Sequence, residues 1–173
     1  MIVNVNGENK IIETKDEVSR AVWSYDGSKI AYSVKKNPNK PVEYNSELLY
    51  DLFIANQDGS NPVKVISNAK FILENFSFSS DSKMILYTKR LFEPDMHTEL
   101  WVINSDGTND RQIDSAPDLY GPCAAPYGNS AIYSKVSSDG ENRYIYYWLN
   151  LNNLSKEIIF ESTRISSLEF LAK

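Results

Sequence analysis

The sequence predicts an all-β fold: four-stranded antiparallel sheets stacked side by side around a common axis. Three observations predict it. The stretch at 21–32, AVWSYDGSKIAY, has the pattern of a strand, a tight Asp-Gly turn and a second strand. It returns as FSFSSDSKMILY at 76–87 and as PCAAPYGNSAIY at 122–133. A second unit interleaves with it, an apolar strand ending in Asn and a turn. This unit is Val3-Asn4-Val5-Asn6-Gly7, then Ala55-Asn56-Gln57-Asp58-Gly59, Ile103-Asn104-Ser105-Asp106-Gly107 and, weakened, Leu149-Asn150-Leu151-Asn152-Asn153. The 11 Tyr, 7 Phe and 3 Trp suit pleated surfaces. Short strands recurring every 40–50 residues or so are the signature of β-propeller blades.

Laid end to end, the two units give a blade of four strands, A to D. Residues 1–13 supply only C and D of a preceding blade. The first full blade has A at 20–24, B at 29–34, C at 50–56 and D at 63–66. In the second, A is 74–79, B 84–89, C 99–104 and D 111–114. In the third, A is 123–125, B 131–135, C 143–149 and D 156–160. Residues 164–171 supply only strand A of a following blade. Alternation supports the strands: Ile30, Tyr32 and Val34 point one way, Ala31 and Ser33 the other. The Asp-Gly and Asn-Gly pairs supply the positive φ of tight hairpins. Two prolines in the polar stretch KKNPNKPVEYNSE at 35–47 exclude a central strand there, so it joins B to C. No helix is needed; 15–22 lacks a 3.6-residue stripe long enough to matter. The expectation is a single domain over 1–173, with three complete blades and a partial blade split between the termini.

These repeats resemble the TolB-like propeller family, whose blades carry an aromatic-Ser-Pro-Asp-Gly turn before an Ile-Ala-Tyr strand. The family also has an Asn-x-Asp-Gly turn before the last strand. The copies depart from that pattern: Tyr25 and Ser80 stand at the usual proline, Ser82 at a glycine and Tyr127 at the Asp. The resemblance implies a fold and not a function, since such propellers serve as binding platforms, as lids on hydrolases and in envelope assemblies.

Propellers close with about four to eight blades. Three ways to complete the ring remain open at this point. The termini join to close a small ring, two copies exchange terminal strands as a homodimer, or the chain is part of a longer ring. An open blade exposes an apolar flank and an unpaired edge. Ile2, Val3, Val5, Ile11, Ile12, Phe160, Ile165, Leu168 and Phe170 are therefore expected to meet a partner surface.

The net charge of −5 opposes nucleic-acid binding, which needs cations against phosphate. A single cysteine, Cys123, forms no intrachain disulfide and suits a small buried position. No apolar run reaches the length of a membrane-spanning helix. The N-terminal MIVNVNGENK lacks the basic start and apolar core of a signal peptide, so a cytoplasmic location is expected if the chain is full length.

Alternation places the short A–B and C–D turns on one face of the ring and the variable B–C and D–A loops on the other. Variable loops on a rigid scaffold carry recognition. The candidate ligand contacts on that face are Tyr44, Phe92, Glu93, Asp95, His97 and Tyr120. Tyr25 and Tyr127, in predicted turns, are further contact candidates. Glu93, Asp95, His97 and Glu99 carry metal-ligand atoms, but a solvated loop explains them better and no second histidine supports a site; no metal and no cofactor is expected. Turn geometry explains the repeated Asp58, Asp106 and Asp139, which lack a calcium loop's spacing. Trp23, Tyr32, Phe78, Tyr87, Trp101, Tyr133 and Trp148 fall at blade-equivalent places expected to form inter-blade core. No nucleophile elbow, phosphate loop or dinucleotide fingerprint is present. The expectation is a non-catalytic module that binds a protein or peptide. The alternative is an accessory propeller of a hydrolase or carbohydrate-active enzyme, admitting substrate without catalytic residues.

Overall fold

The structure is a computed structural model, and it describes residues 2–3, 9–10, 17–36, 50–69, 75–91, 96–139, 141 and 143–163. These residues form strands and turns only. A short hairpin, β1 (Ile2–Val3) and β2 (Asn9–Lys10), pairs Ile2 with Lys10. Three antiparallel sheets of four strands follow, each ordered as the chain runs. Blade 1 holds β3 (Glu17–Trp23), β4 (Lys29–Lys35), β5 (Tyr50–Asn56) and β6 (Val63–Ala69). Blade 2 holds β7 (Phe76–Phe78), β8 (Met84–Leu91), β9 (His97–Asn104) and β10 (Arg111–Ala116). Blade 3 holds β11 (Leu119–Ala124), β12 (Ser130–Val136), β13 (Tyr144–Asn150) and β14 (Lys156–Ser162).

Period-two alternation decides which seam each side chain enters. In blade 2, Ile85, Tyr87 and Ile103 face blade 1. They bury with Phe76 and Phe78 against Ala31, Leu52 and Ile54. Leu86, Leu100 and Val102 face blade 3, where they meet Leu119, Ala131, Tyr133 and Leu149. Each such side chain, fully buried, contributes about 1.5–3 kcal/mol, so the seams and not the single sheets hold the fold. Polar contacts pin the blades together at the turn end. Tyr25 of blade 1 donates its hydroxyl to the Ala124 carbonyl of blade 3 at 2.7 Å, and the Asn129 amide donates to Ser80 Oγ at 3.0 Å. Asp114 on β10 accepts from Tyr133 of blade 3 at 2.6 Å and pairs with Lys135 at 3.1 Å and Lys156 at 3.4 Å.

Two expectations need correction. The connection between strand D, expected to end at 114, and strand A, expected to begin at 123, is reduced to Pro117 and Asp118, because β10 runs to Ala116 and β11 begins at Leu119. The Gly121-Pro122 pair, which reads as a loop signal, is a bulge inside the strand: the register shifts between Tyr120 and Cys123. Gly121 holds a φ of 101° there, and a Cβ on it would lie 3.2 Å from Tyr133 Cα. Only glycine fits that close approach. Trp23 is the second correction: it is 40% exposed, whereas its counterpart Phe78 is buried. Phe78 packs into the seam with blade 1, whereas Trp23 lies outside the buried cluster of Ile30, Tyr32, Val34 and Ala55 on its own face. Cys123 is half-buried and free. The expected pairing of 164–171 with 1–13 lies outside the described residues.

Candidate functional site

The turn face bonds most of its polar groups to one another, the buried Asn129 Oδ1 being an exception. In the first A–B turn, Ser24 Oγ donates to Asp26 Oδ1 at 2.7 Å and accepts from the Lys29 amide at 2.9 Å. Asp26 Oδ1 also accepts the Ser28 amide at 3.0 Å. Ser79, Asp81, Lys83 and Met84 repeat the arrangement in blade 2. The Ser28 amide and the Ser24 and Ser28 hydroxyls hold the Asp26 carboxyl down at about 2. In the C–D turns, Asp58 and Asp106 cap the amides of Ser60 and Thr108, both at 2.9 Å. Asp139, in the B–C loop of blade 3, accepts from Ser137 and the Glu141 amide and pairs with Arg143, which also engages Glu141 and Glu161. Hydrogen bonding within each loop thus accounts for all three aspartates. Among the described residues no group of three His, Cys, Asp or Glu side chains is placed to hold a metal ion.

The opposite face carries a cleft of about 150 Å³ at the seam of blades 2 and 3. It is lined by Asn75, Thr88, Arg90, Thr98, Asp118, Leu119 and Tyr120. The strands explain the set. Thr88 and Arg90 continue the Leu86 face of β8, and Thr98 stands opposite Arg90 in the β8–β9 register. The side of blade 2 that is apolar against blade 3 deep in the seam therefore turns polar at its rim. The short link at Pro117 and Asp118 then brings Leu119 and Tyr120 across from it. Thr88 and Thr98 are only 5% and 7% exposed, and neither hydroxyl is bonded to protein among the described residues. The Arg90 guanidinium contacts only the sulfur of Met96, at 3.6 Å, and neither Arg90 nor Asp118 has a described ion-pair partner. Tyr120 is 38% exposed and leans on Tyr144, with ring centroids 6.0 Å apart. Burial, then the Asp118 carboxylate and Tyr144, push its phenol up against the opposing pull of Arg90, so it stays a neutral donor. The cleft thus presents one cation, one anion, two hydroxyls, an amide and a phenol, a set suited to orienting a small polar group.

The structure separates the sequence candidates. Tyr120 lines the cleft, from a strand and not from a loop. His97 opens β9 on the other face of blade 2, on the side of Trp101, which packs toward blade 1. Its Nε2 lies 3.5 Å from Glu99 Oε1, and Glu99 Oε2 accepts the Trp101 indole N–H at 2.8 Å. His97 and Tyr120 therefore belong to different seams. Tyr44, Phe92, Glu93 and Asp95 lie outside the described residues. Of the turn tyrosines, Tyr25 is spent on the Ala124 carbonyl and Tyr127 is exposed on the turn face. Sequence reasoning missed Asn75, Thr88, Arg90, Thr98 and Asp118. They stand at strand ends, scattered over 44 positions, and only the blade register assembles them.

No family model matches the chain, and no curated protein matches it. Solved structures do. A protein assigned as TolB from Agrobacterium tumefaciens superposes with a TM-score of 0.60 at 17% identity, over 86% of this chain and 51% of that one. The β-propeller domain of the Trilobed protease from Pyrococcus furiosus, described as having an open velcro topology, gives 0.65 at 19% identity, over 88% and 44%. The fold is a partial β-propeller. Pyrococcus horikoshii acylaminoacyl peptidase matches with 0.65 at 19% identity, over 92% of this chain and 27% of that one. The chain spans about half, or less, of the length of these proteins, and likeness at this identity establishes the propeller fold alone.

Proposed function

We propose that this propeller is a recognition module that binds a protein or peptide segment through its B–C/D–A face and carries out no chemistry on it. The observation behind this reading is the cleft between blades 2 and 3, where among the described residues Arg90 and Asp118 have no ion-pair partner and the Thr88 and Thr98 hydroxyls, on largely buried residues, have no protein hydrogen bond. The turn face, where side chains already bond one another, offers no comparable set. Selection of a random heptapeptide display library on the full chain tests the reading. Selected peptides should lose binding to Tyr120→Ala and keep it with Tyr127→Ala on the turn face. Peptides that ignore Tyr120 and lose binding with Tyr127 would refute it.

A second reading makes the chain an accessory propeller of a hydrolase. It is favoured by the names of two similar structures, a protease propeller domain and an acylaminoacyl peptidase. A hydrolase domain encoded in the same reading frame would decide for it. For the exposed edge residues Trp23 and Val18, the partner we propose is a second copy exchanging terminal strands. Light scattering in dilute solution should then give twice the protomer mass, and a single protomer mass would refute it.

A further inference from the structure

Resting on the recognition reading, we infer that the cleft between blades 2 and 3 is a carboxylate site for peptides: Arg90 takes the carboxylate, and Asp118 takes a neighbouring amide N–H. The cation is the first argument. Arg90 has no described ion-pair partner, and its planar fork matches the two oxygens of a carboxylate. The threonines are the second. Thr88 and Thr98 are more than nine-tenths buried, line the cleft and lack a described partner for their hydroxyls. Neither hydroxyl is a sealed, unsatisfied atom; both open to the cleft and are free to bond a polar guest or water there. Thr98 stands opposite Arg90 in the strand register and is placed to donate to the same carboxylate. Asp118 selects against the competing anions. One arginine beside one aspartate gives the cleft no net charge, and the chain carries −5 overall, so a doubly charged phosphate or a polyanion is disfavoured more than a singly charged carboxylate. A lone carboxylate next to an N–H donor satisfies both charges. The volume of about 150 Å³ fits one terminal or side-chain group, and Tyr120 offers a ring for the residue before it.

A carboxylate beside an amide occurs at a chain terminus and at an Asp or Glu side chain, and the test separates the two. The isotope-labelled full chain is titrated in NMR with four probes: N-acetyl-Ala-Ala, its C-terminal amide, N-acetyl-aspartic acid amide and inorganic phosphate. The free acid should shift the amides of Thr88, Arg90, Thr98 and Tyr120 saturably and bind roughly tenfold or more tightly than the blocked amide, the scale of a charge-assisted bidentate contact. Arg90→Met should abolish that preference, Arg90→Lys should retain part of it, and Thr98→Val should weaken the acid alone. Preserved spectral dispersion confirms that each variant is folded. An aspartate probe matching the free acid assigns a side-chain source; preference for the free acid assigns a chain terminus. Equal binding of acid and amide, an acid preference surviving Arg90→Met, or phosphate binding as tightly as the acid would overturn the inference. If neither dipeptide binds but library peptides do so through Tyr120, the carboxylate inference fails and the recognition reading stands. If no peptide of any kind binds, both fail.

Discussion

The contact at Asp114 tests how far the blades depend on one another. Tyr133 is fully buried, and its hydroxyl crosses from blade 3 to Asp114 of blade 2 at 2.6 Å. A hydrogen bond to a charged partner is worth about 1.5–3 kcal/mol. The pairs with Lys135 and Lys156 involve partly exposed ammonium groups, so each adds only about 0.2–1 kcal/mol. Asp114→Ala should therefore cost about 2–4 kcal/mol, because it also leaves a buried phenol without an acceptor. Tyr133→Phe should cost about 1.5–3 kcal/mol. The double variant should cost much less than the sum, with a coupling of about 1.5–3 kcal/mol in urea unfolding at neutral pH. The coupling should depend on pH. Burial alone would raise the Asp114 carboxyl, but the Tyr133 hydroxyl, Lys135 and the Ser115 amide outweigh it and hold it below 3.8. A lowered folded value means the stabilisation is complete above the ordinary carboxylate range and is lost as pH falls through the folded value. Additive single costs, or a coupling that persists unchanged into strong acid, would refute this picture of the seam.

Tyr25→Phe removes the bond to the Ala124 carbonyl and should lower stability by about 0.5–1.5 kcal/mol; an unchanged urea midpoint would mean that bond contributes nothing. Ser82 sits at a φ of 60° where the first repeat has Gly27, and its Oγ accepts the Asp26 amide of blade 1 at 3.4 Å; Ser82→Gly relieves the one and removes the other, so stability should change by less than about 1 kcal/mol in the same assay, and a larger loss would contradict that balance. Gly121→Ala should destabilise by about 1–3 kcal/mol, since the bulge needs both the positive φ and the open space beside Tyr133. In carbon-detected NMR the Asp26 carboxyl should titrate at about 2, and Ser24→Ala should move it upward toward 3.8.

Blade architecture was legible in the sequence because its signals are local. Asp-Gly and Ser-Asp turns mark the hairpins of blades 1 and 2, and alternation such as Ile30, Tyr32 and Val34 fixes which face is apolar. Strand C of blade 1 therefore matched residue for residue at Tyr50–Asn56. Legibility failed where a local signal has two meanings. The Gly-Pro pair at 121–122 marks loops in general, but here a bulge absorbs it and returns Tyr120 to a strand. Trp23 failed for a different reason: its pattern matches Phe78, but it stands outside the cluster of Ile30, Tyr32, Val34 and Ala55 that is buried on the same face, and a local pattern does not say which residues of a face enter its cluster. The cleft was not legible at all. Arg90, Thr98 and Asp118 are unremarkable singly, and only packing blade 3 on blade 2 brings them around one space. The polar loop residues at 92–95 drew attention because they are dense in charge, yet density along the chain says nothing about convergence in space.

Hydrogen–deuterium exchange of the full chain, with and without a library-selected peptide, tests most directly whether recognition belongs to the B–C/D–A face. New protection is expected at 88–90, 98 and 118–120, with the turns at 24–28 and 79–83 unchanged. Protection confined to those turns, with the cleft segments unaltered, would contradict it.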